Sequence, residues 1–396
     1  MTGFGISLLA SFLTCIIVMQ IAHLQRRWGF DDAAGDTRKI HLNPVPRLGG
    51  AAILIAAWFA GSIVNHQDNV TGSLFLALLM VSLPAFLVGL GEDLSGKFSV
   101  RTRLLGMLLA AILLMGILDT FIVRVDISPI DAWFQQATGL VADSKEYHKL
   151  LSERRLEWND YPLNALCVVS LTTIALLAIT NGINLIDGLN GLAGLSSILM
   201  YLGLGVVAVD VGDAQISVCA FVLAGAVSGF VIWNWPRGYL FLGDGGAYLI
   251  GFTLGSLAIA LVQRNADVSA WFAVLLLIYP LTEVGFSIWR RLVIKGKSIG
   301  IPDAAHLHHL IYRRIVRVAI GRTPAESRWL RNAFSAPYLW TITALSVFPA
   351  AALYHYPIIL VGCVSLFVFG YVWLYRRIVR LKAPRFLIRR AFPTLQ

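Results

Sequence analysis

The sequence predicts an all-α polytopic membrane protein with about eleven transmembrane helices, its amino terminus outside and its carboxyl terminus cytoplasmic. Three observations carry this. Apolar residues make up 57% of the 396 residues and charged residues only 14%, against about 25% charge in a soluble domain. Eleven stretches are long and apolar enough to cross a bilayer: 3–23, 48–64, 73–91, 104–123, 163–181, 191–209, 214–233, 245–262, 268–289, 336–354 and 357–375. With Met1 outside, 26 of the 32 Lys and Arg fall on the inner segments 24–47, 92–103, 234–244, 290–335 and 376–396. Such an imbalance sets orientation. It also accounts for the net charge of +10 without a nucleic-acid partner.

The same arithmetic excludes other classes. Disorder and coiled coils do not fit the composition. Long unbroken apolar runs exclude an outer-membrane barrel. The four cysteines lie far apart in apolar runs and form neither a disulfide nor a metal framework.

The first stretch has no basic region ahead of it and is too long for a signal peptide, so it reads as a retained helix. The chain reads as one integral membrane domain, 1–396. Its outer segment 124–162 mixes seven acidic with five basic residues and reads as a solvated loop, with a docking role left open. The inner segment 290–335 is the longest basic loop. The tail 376–396 is basic and suits anionic headgroups. No strong internal repeat supports a transporter built from duplicated halves.

Ionisable groups at span ends are functional candidates, and five clusters fall on the inner side. The first is Arg38-Lys39-Ile-His41-Leu-Asn-Pro44-Val-Pro46-Arg47-Leu-Gly49-Gly50. Its prolines stiffen the approach to the second span, and its glycines allow close approach of backbone to a ligand. A positive-inside anchor is the plainer reading. The second is Glu92-Asp93 with Lys97 four residues on. Paired carboxylates suit Mg²⁺ carrying a phosphorylated substrate, or simply a solvated loop. The third holds Asn181, Asn184, Asp187 and Asn190 among repeated glycines. If the fifth helix continues, the first three project from a similar side. The glycines suggest close packing or a break. The fourth is Phe241-Leu-Gly243-Asp244-Gly245-Gly246, where Asp244 is either a helix cap or an unencumbered metal ligand. The fifth holds His306, His308 and His309, after Arg290, Arg291, Lys295 and Lys297. Three histidines invite zinc. With no cysteine beside them, anion or phosphate binding is the better fit. Glu283, inside the ninth span, could pair with Arg290 or support the site.

These motifs, in this order over about 36–315, resemble the polyprenyl-phosphate N-acetylhexosamine-1-phosphate transferases. That family includes the phospho-MurNAc-pentapeptide translocase and the transferases that load GlcNAc-1-phosphate onto undecaprenyl phosphate for O-antigen and related polymers. Two departures are visible. The family commonly has Asp-Asp where this chain has Glu92-Asp93. The histidine motif reads His306-Leu-His308-His309-Leu, which resembles the amino-sugar branch rather than the muramyl-pentapeptide branch.

The resemblance implies attack of a lipid phosphate on the β-phosphorus of a UDP-sugar, giving lipid-diphosphate-sugar and UMP. It implies Mg²⁺, with Mn²⁺ as a substitute. Asp244 would be the main metal ligand, with Asp93 and Asp187. Asp93 would also activate or orient the lipid phosphate, with Glu92 assisting. Asn181, Asn184 and Asn190 would shape the nucleotide and sugar side. His306, His308, His309, Arg290 and Lys297 would contact the diphosphate, with Lys39 and His41 as further anion binders. The implied partners are a UDP-N-acetylhexosamine, undecaprenyl phosphate and the bilayer, with a homodimer left open. The implied location is the bacterial inner membrane, with the site on its cytoplasmic face. UDP-QuiNAc and UDP-FucNAc are alternative donors. The rival class, an anion transporter, predicts polar groups spread through the bilayer depth rather than gathered on one face.

Overall fold

The computed structural model describes residues 2–25, 30–31, 44–138, 162–294, 306–316 and 328–380. Lys39, His41 and Lys297 lie outside them, as do 139–161 of the outer loop and the tail beyond Arg380.

The helices are α1 (Thr2–Gln25), α2 (Gly49–Gln67), α3 (Asn69–Ser95), α4 (Val100–Leu118), α5 (Ser128–Thr138), α6 (Pro162–Ile186) and α7 (Leu192–Asp210). They continue as α8 (Ala214–Asn234), α9 (Gly243–Arg264), α10 (Ala270–Leu276), α11 (Ile278–Trp289), α12 (Leu307–Leu310), α13 (Arg328–Ala352) and α14 (Pro357–Val379). The one strand pairing among the described residues is a two-residue antiparallel contact, β1 (Phe30–Asp31) with β2 (Val45–Pro46).

Local chemistry sets the helix ends. The Asp68 carboxylate accepts from the Val70 and Thr71 amides at the start of α3. Ser99 caps α4 and Asp213 caps α8 in the same way. Gly96, at φ +64°, closes α3 in the left-handed conformation that glycine adopts without strain.

The chain is an all-α polytopic membrane protein. Among the described residues nine helices are long and apolar enough to span, and α10 with α11 brings the count to as many as ten. That pair is bent by 74°, so the single expected span 268–289 is broken near Leu277. Pro280 lies in the first turn of α11, where a proline is tolerated. The tenth expected span, 336–354, lies on α13, a 25-residue helix diluted by Ser, Thr, Tyr and two internal prolines.

α9 is the centre of the bundle. Of its apolar stretch 94% is buried, against 17% for α1 and for α14. It packs on α2, α3, α6 and α7. In lipid no hydrophobic gain separates helix–helix from helix–lipid contact, so close backbone approach does the work. A Cβ on Gly50 would lie 2.3 Å from the Gly246 Cα, and one on Gly89 would lie 2.5 Å from the Gly245 nitrogen. The glycines read as making room for a ligand thus bring backbone against backbone. The Gly49 and Gly50 amides also donate to the Phe241 and Leu242 carbonyls at 2.9 Å each, and the Phe241 amide donates to Pro46 O at 2.9 Å.

Gly50→Ala should lower the melting temperature of detergent-purified protein by several degrees, since overpacking costs about 1–3 kcal/mol. Gly116→Ala, with nothing within 4 Å of its Cβ, should be neutral or stabilising. Fluorescence-detected unfolding reads both.

Candidate active site at the start of α9

Asp244 is the second residue of α9, after Gly243 at φ +77°. A Cβ at Gly243 would lie 2.5 Å from Asp93 Oδ2 and from the Arg47 carbonyl. Only glycine fits there.

Asp93, near the end of α3, is 7% exposed. Its Oδ1 accepts from the Asp244 amide at 3.0 Å and its Oδ2 from the Gly245 amide at 2.9 Å. It therefore caps α9 from another helix. It satisfies two of the amides that a helix start leaves orphaned and places negative charge at the positive end of the dipole. Arg47 Nε lies 3.4 Å from Asp93 Oδ1.

The Asp244 carboxylate points to three other groups. Its Oδ1 accepts from Asn184 Nδ2 at 3.0 Å and Arg47 Nη2 at 3.3 Å, and its Oδ2 from Arg103 Nη1 at 3.1 Å. Asn184 lies in the last turn of α6. Asp187 follows that helix directly, its amide on Asn184 O at 3.2 Å. The helix ends at Ile186 and the chain turns through Gly188 and Gly191 into α7. The expected glycine break is therefore present.

The half-buried Asp187 carboxylate accepts no hydrogen bond among the described residues. Burial pushes its pKa up to about 7, Asp244 and Asp93 push the same way, and Arg47 opposes them. Three carboxylates thus meet two guanidiniums at one point.

The histidine motif packs on this turn. A Cβ on Gly188 would lie 2.2 Å from His308 Nε2. His308 is 1% exposed, and burial, with His309 and His306 beside it, holds its ring well below the ordinary imidazole range. It is a neutral packing piece. His306 stacks parallel to it at 5.7 Å, and His309 is 4.1 Å from it and 6.3 Å from His306.

Other expected site residues lie differently. Glu92 turns to the α3–α4 connection, where its Oε2 accepts from the Phe98 amide at 2.7 Å. Asn181 donates to Leu177 O at 2.8 Å and to Met107 Sδ at 3.3 Å, an α6–α4 contact. Asn190 is a buried tie. It donates to Pro236 O at 3.1 Å, accepts from Asn332 Nδ2 at 3.2 Å, and its amide donates to Asn332 Oδ1 at 2.9 Å. Arg290 donates to Tyr375 Oη at 3.0 Å, between the Phe286 and Tyr375 rings.

Two residues were missed. Arg47 stood inside a quoted motif without a role, and Arg103 was not singled out. A signal for Arg103 existed. A cation in the first turn of a helix opposes the dipole and calls for a partner.

Among the described residues no three His, Cys, Asp or Glu side chains converge closely enough to hold a metal alone. That disfavours a zinc cage. It fits Mg²⁺, which is held by one or two carboxylates together with substrate phosphates and water. Asp244 and Asp187 are such carboxylates.

The pattern described as glycosyl transferase family 4 matches residues 75–262. Over these residues the chain is similar to this family. The match holds Glu92, Asp93, Asn181 to Asn190 and Asp244, but neither Arg47 nor the histidines. The chain is 26% identical to a probable undecaprenyl-phosphate N-acetylglucosaminyl 1-phosphate transferase of Bacillus subtilis, over 77% of this chain and 76% of the relative. It is 27% identical to the undecaprenyl-phosphate alpha-N-acetylglucosaminyl 1-phosphate transferase of Thermotoga maritima, over 71% and 72%. The Escherichia coli K12 protein of that same name is 31% identical over 36% of this chain and 40% of the relative. The resemblance read from the motifs is borne out.

Asp93→Asn should loosen the start of α9. Bonds to a charged acceptor are worth about 1.5–3 kcal/mol, so hydrogen exchange at the Asp244 and Gly245 amides should quicken about tenfold or more. Exchange mass spectrometry reads it.

Proposed function

We propose that this protein transfers an N-acetylhexosamine-1-phosphate, GlcNAc-1-phosphate first, from a UDP-sugar to undecaprenyl phosphate. The products are a lipid-diphosphate-sugar and UMP, in the first membrane step of a cell-surface polysaccharide pathway. The observation that carries this is the meeting of Asp244, Asp187 and Asn184 with Arg47 and Arg103 at one helix start. The relatives' names supply the lipid and the sugar.

Phosphoryl transfer needs alignment and charge neutralisation more than covalent chemistry. The lipid-phosphate oxygen attacks the β-phosphorus, the bond to the UMP oxygen breaks, and the leaving phosphate keeps the electron pair. Arg47 and Arg103 stand where a diphosphate would bring its charge. Asn184 holds Asp244 in register with the turn carrying Asp187. Asp93 holds the start of α9. A lipid phosphate is largely ionised at neutral pH, so no strong base is required. Mg²⁺, held by Asp244 and Asp187, would supply Lewis-acid stabilisation of the diphosphate.

This reading sets the site on the cytoplasmic face of a bacterial inner membrane, with the amino terminus outside. Support comes from the excess of Lys and Arg on the segments flanking these motifs.

UMP release by purified protein should require both undecaprenyl phosphate and Mg²⁺, stop with EDTA and return with Mn²⁺. UDP-GlcNAc, UDP-QuiNAc and UDP-FucNAc in parallel name the donor. No release with any of them from folded protein would sink the reading. Asp244→Asn should abolish release, about a hundredfold or more, while the protein stays folded and inserted. Normal turnover in that variant would remove Asp244 from the site.

A further inference from the structure

Glu283 is a carboxylate inside a membrane segment, 1% exposed, on α11. Such a group is costly unless partnered and is a functional candidate by default. Arg290, the partner its spacing offers, turns instead to Tyr375. The partner that Glu283 has comes from the histidine motif. Glu283 Oε2 lies 3.3 Å from His306 Nδ1. The phenols of Tyr279 and Tyr371 lie within electrostatic range of it. Its second oxygen, Oε1, is buried without a hydrogen-bond partner among the described residues.

We propose that Glu283 is a positioning residue that fixes His306 so that its Nε2 donates to a phosphate oxygen of the nucleotide-sugar. This rests on the transferase reading above and extends it. A carboxylate only accepts, so Nδ1 carries the hydrogen. With a phosphate oxygen at Nε2, the ring stands between two anionic groups, takes up a second proton from solvent and donates from both nitrogens, a charge-assisted bond of the kind that suits phosphate. No described residue bonds Nε2.

The location supports this role. His306 is 6% exposed and stacks parallel, within 4°, on His308. His308 in turn packs on Gly188, next to Asp187. A line of packed groups therefore joins the bent membrane segment to the turn that carries Asp187. His308, neutral and buried, spaces the line. His306, with its acidic partner, presents Nε2 to the phosphate.

The test uses full-length protein in detergent with undecaprenyl phosphate, Mg²⁺ and UDP-GlcNAc. Glu283→Gln keeps the side-chain shape and removes a membrane charge, so it should insert and melt normally. It should lower kcat about tenfold or more while leaving KM for the lipid unchanged. Glu283→Asp should recover part of the loss. In a His306→Gln background, Glu283→Gln should cost nothing further. Losses that multiply across the two sites would overturn the proposal, as would an unchanged kcat in Glu283→Gln.

A second readout does not depend on turnover. In ¹⁵N-histidine spectra, the His306 ring, assigned by its loss in His306→Gln, should be Nδ1-protonated in wild type and should change state in Glu283→Gln. An unchanged His306 signal would also overturn the proposal. If wild type releases no UMP with any donor, the transferase reading has failed, and the spectra alone decide the Glu283–His306 coupling.

Discussion

A carboxylate from one helix capping the start of another is the constraint on which this site depends. Asp93 accepts both the Asp244 and Gly245 amides, and α9 is the most enclosed span of the bundle. In a low-dielectric surround two orphaned amides would be expensive. A neighbouring helix, α3, therefore supplies their partner. Asp244 is fixed as a consequence: its backbone is held by Asp93, and its side chain is free to face the two arginines and Asn184.

The glycine pattern follows from the same need. Gly50 and Gly89 let α2 and α3 touch α9 backbone to backbone. Gly243 clears the Asp93 carboxylate and the Arg47 carbonyl. Gly188 clears His308. A phosphoryl-transfer site at a membrane surface must bring several charges of one sign together, and each needs an exact neighbour. Small residues around rigid helices provide that alignment without long flexible arms.

The fold class was legible because lipid imposes length and apolarity on every span. The bend between α10 and α11 was not, since apolarity runs through Leu277 without a break. Pro280 was its only local sign. Asn184, Asp187 and Asp244 were legible as polar groups amid apolar sequence. The cap made by Asp93 was not, because it joins residues 151 apart and no local pattern records it. Asn190 and Asn181 show the converse. Their side chains satisfy backbone and neighbouring helices, which sequence spacing does not separate from ligand binding. Glu92, one atom longer than the usual aspartate, uses its reach on the Phe98 amide.

The most direct measurement is electron paramagnetic resonance of Mn²⁺ titrated into detergent-purified protein with UDP-GlcNAc present. Wild type should remove Mn²⁺ from the free-ion signal, and Asp244→Asn and Asp187→Asn should each leave most of it free. Mn²⁺ binding of undiminished affinity in Asp244→Asn would contradict the assignment of the ion to the start of α9.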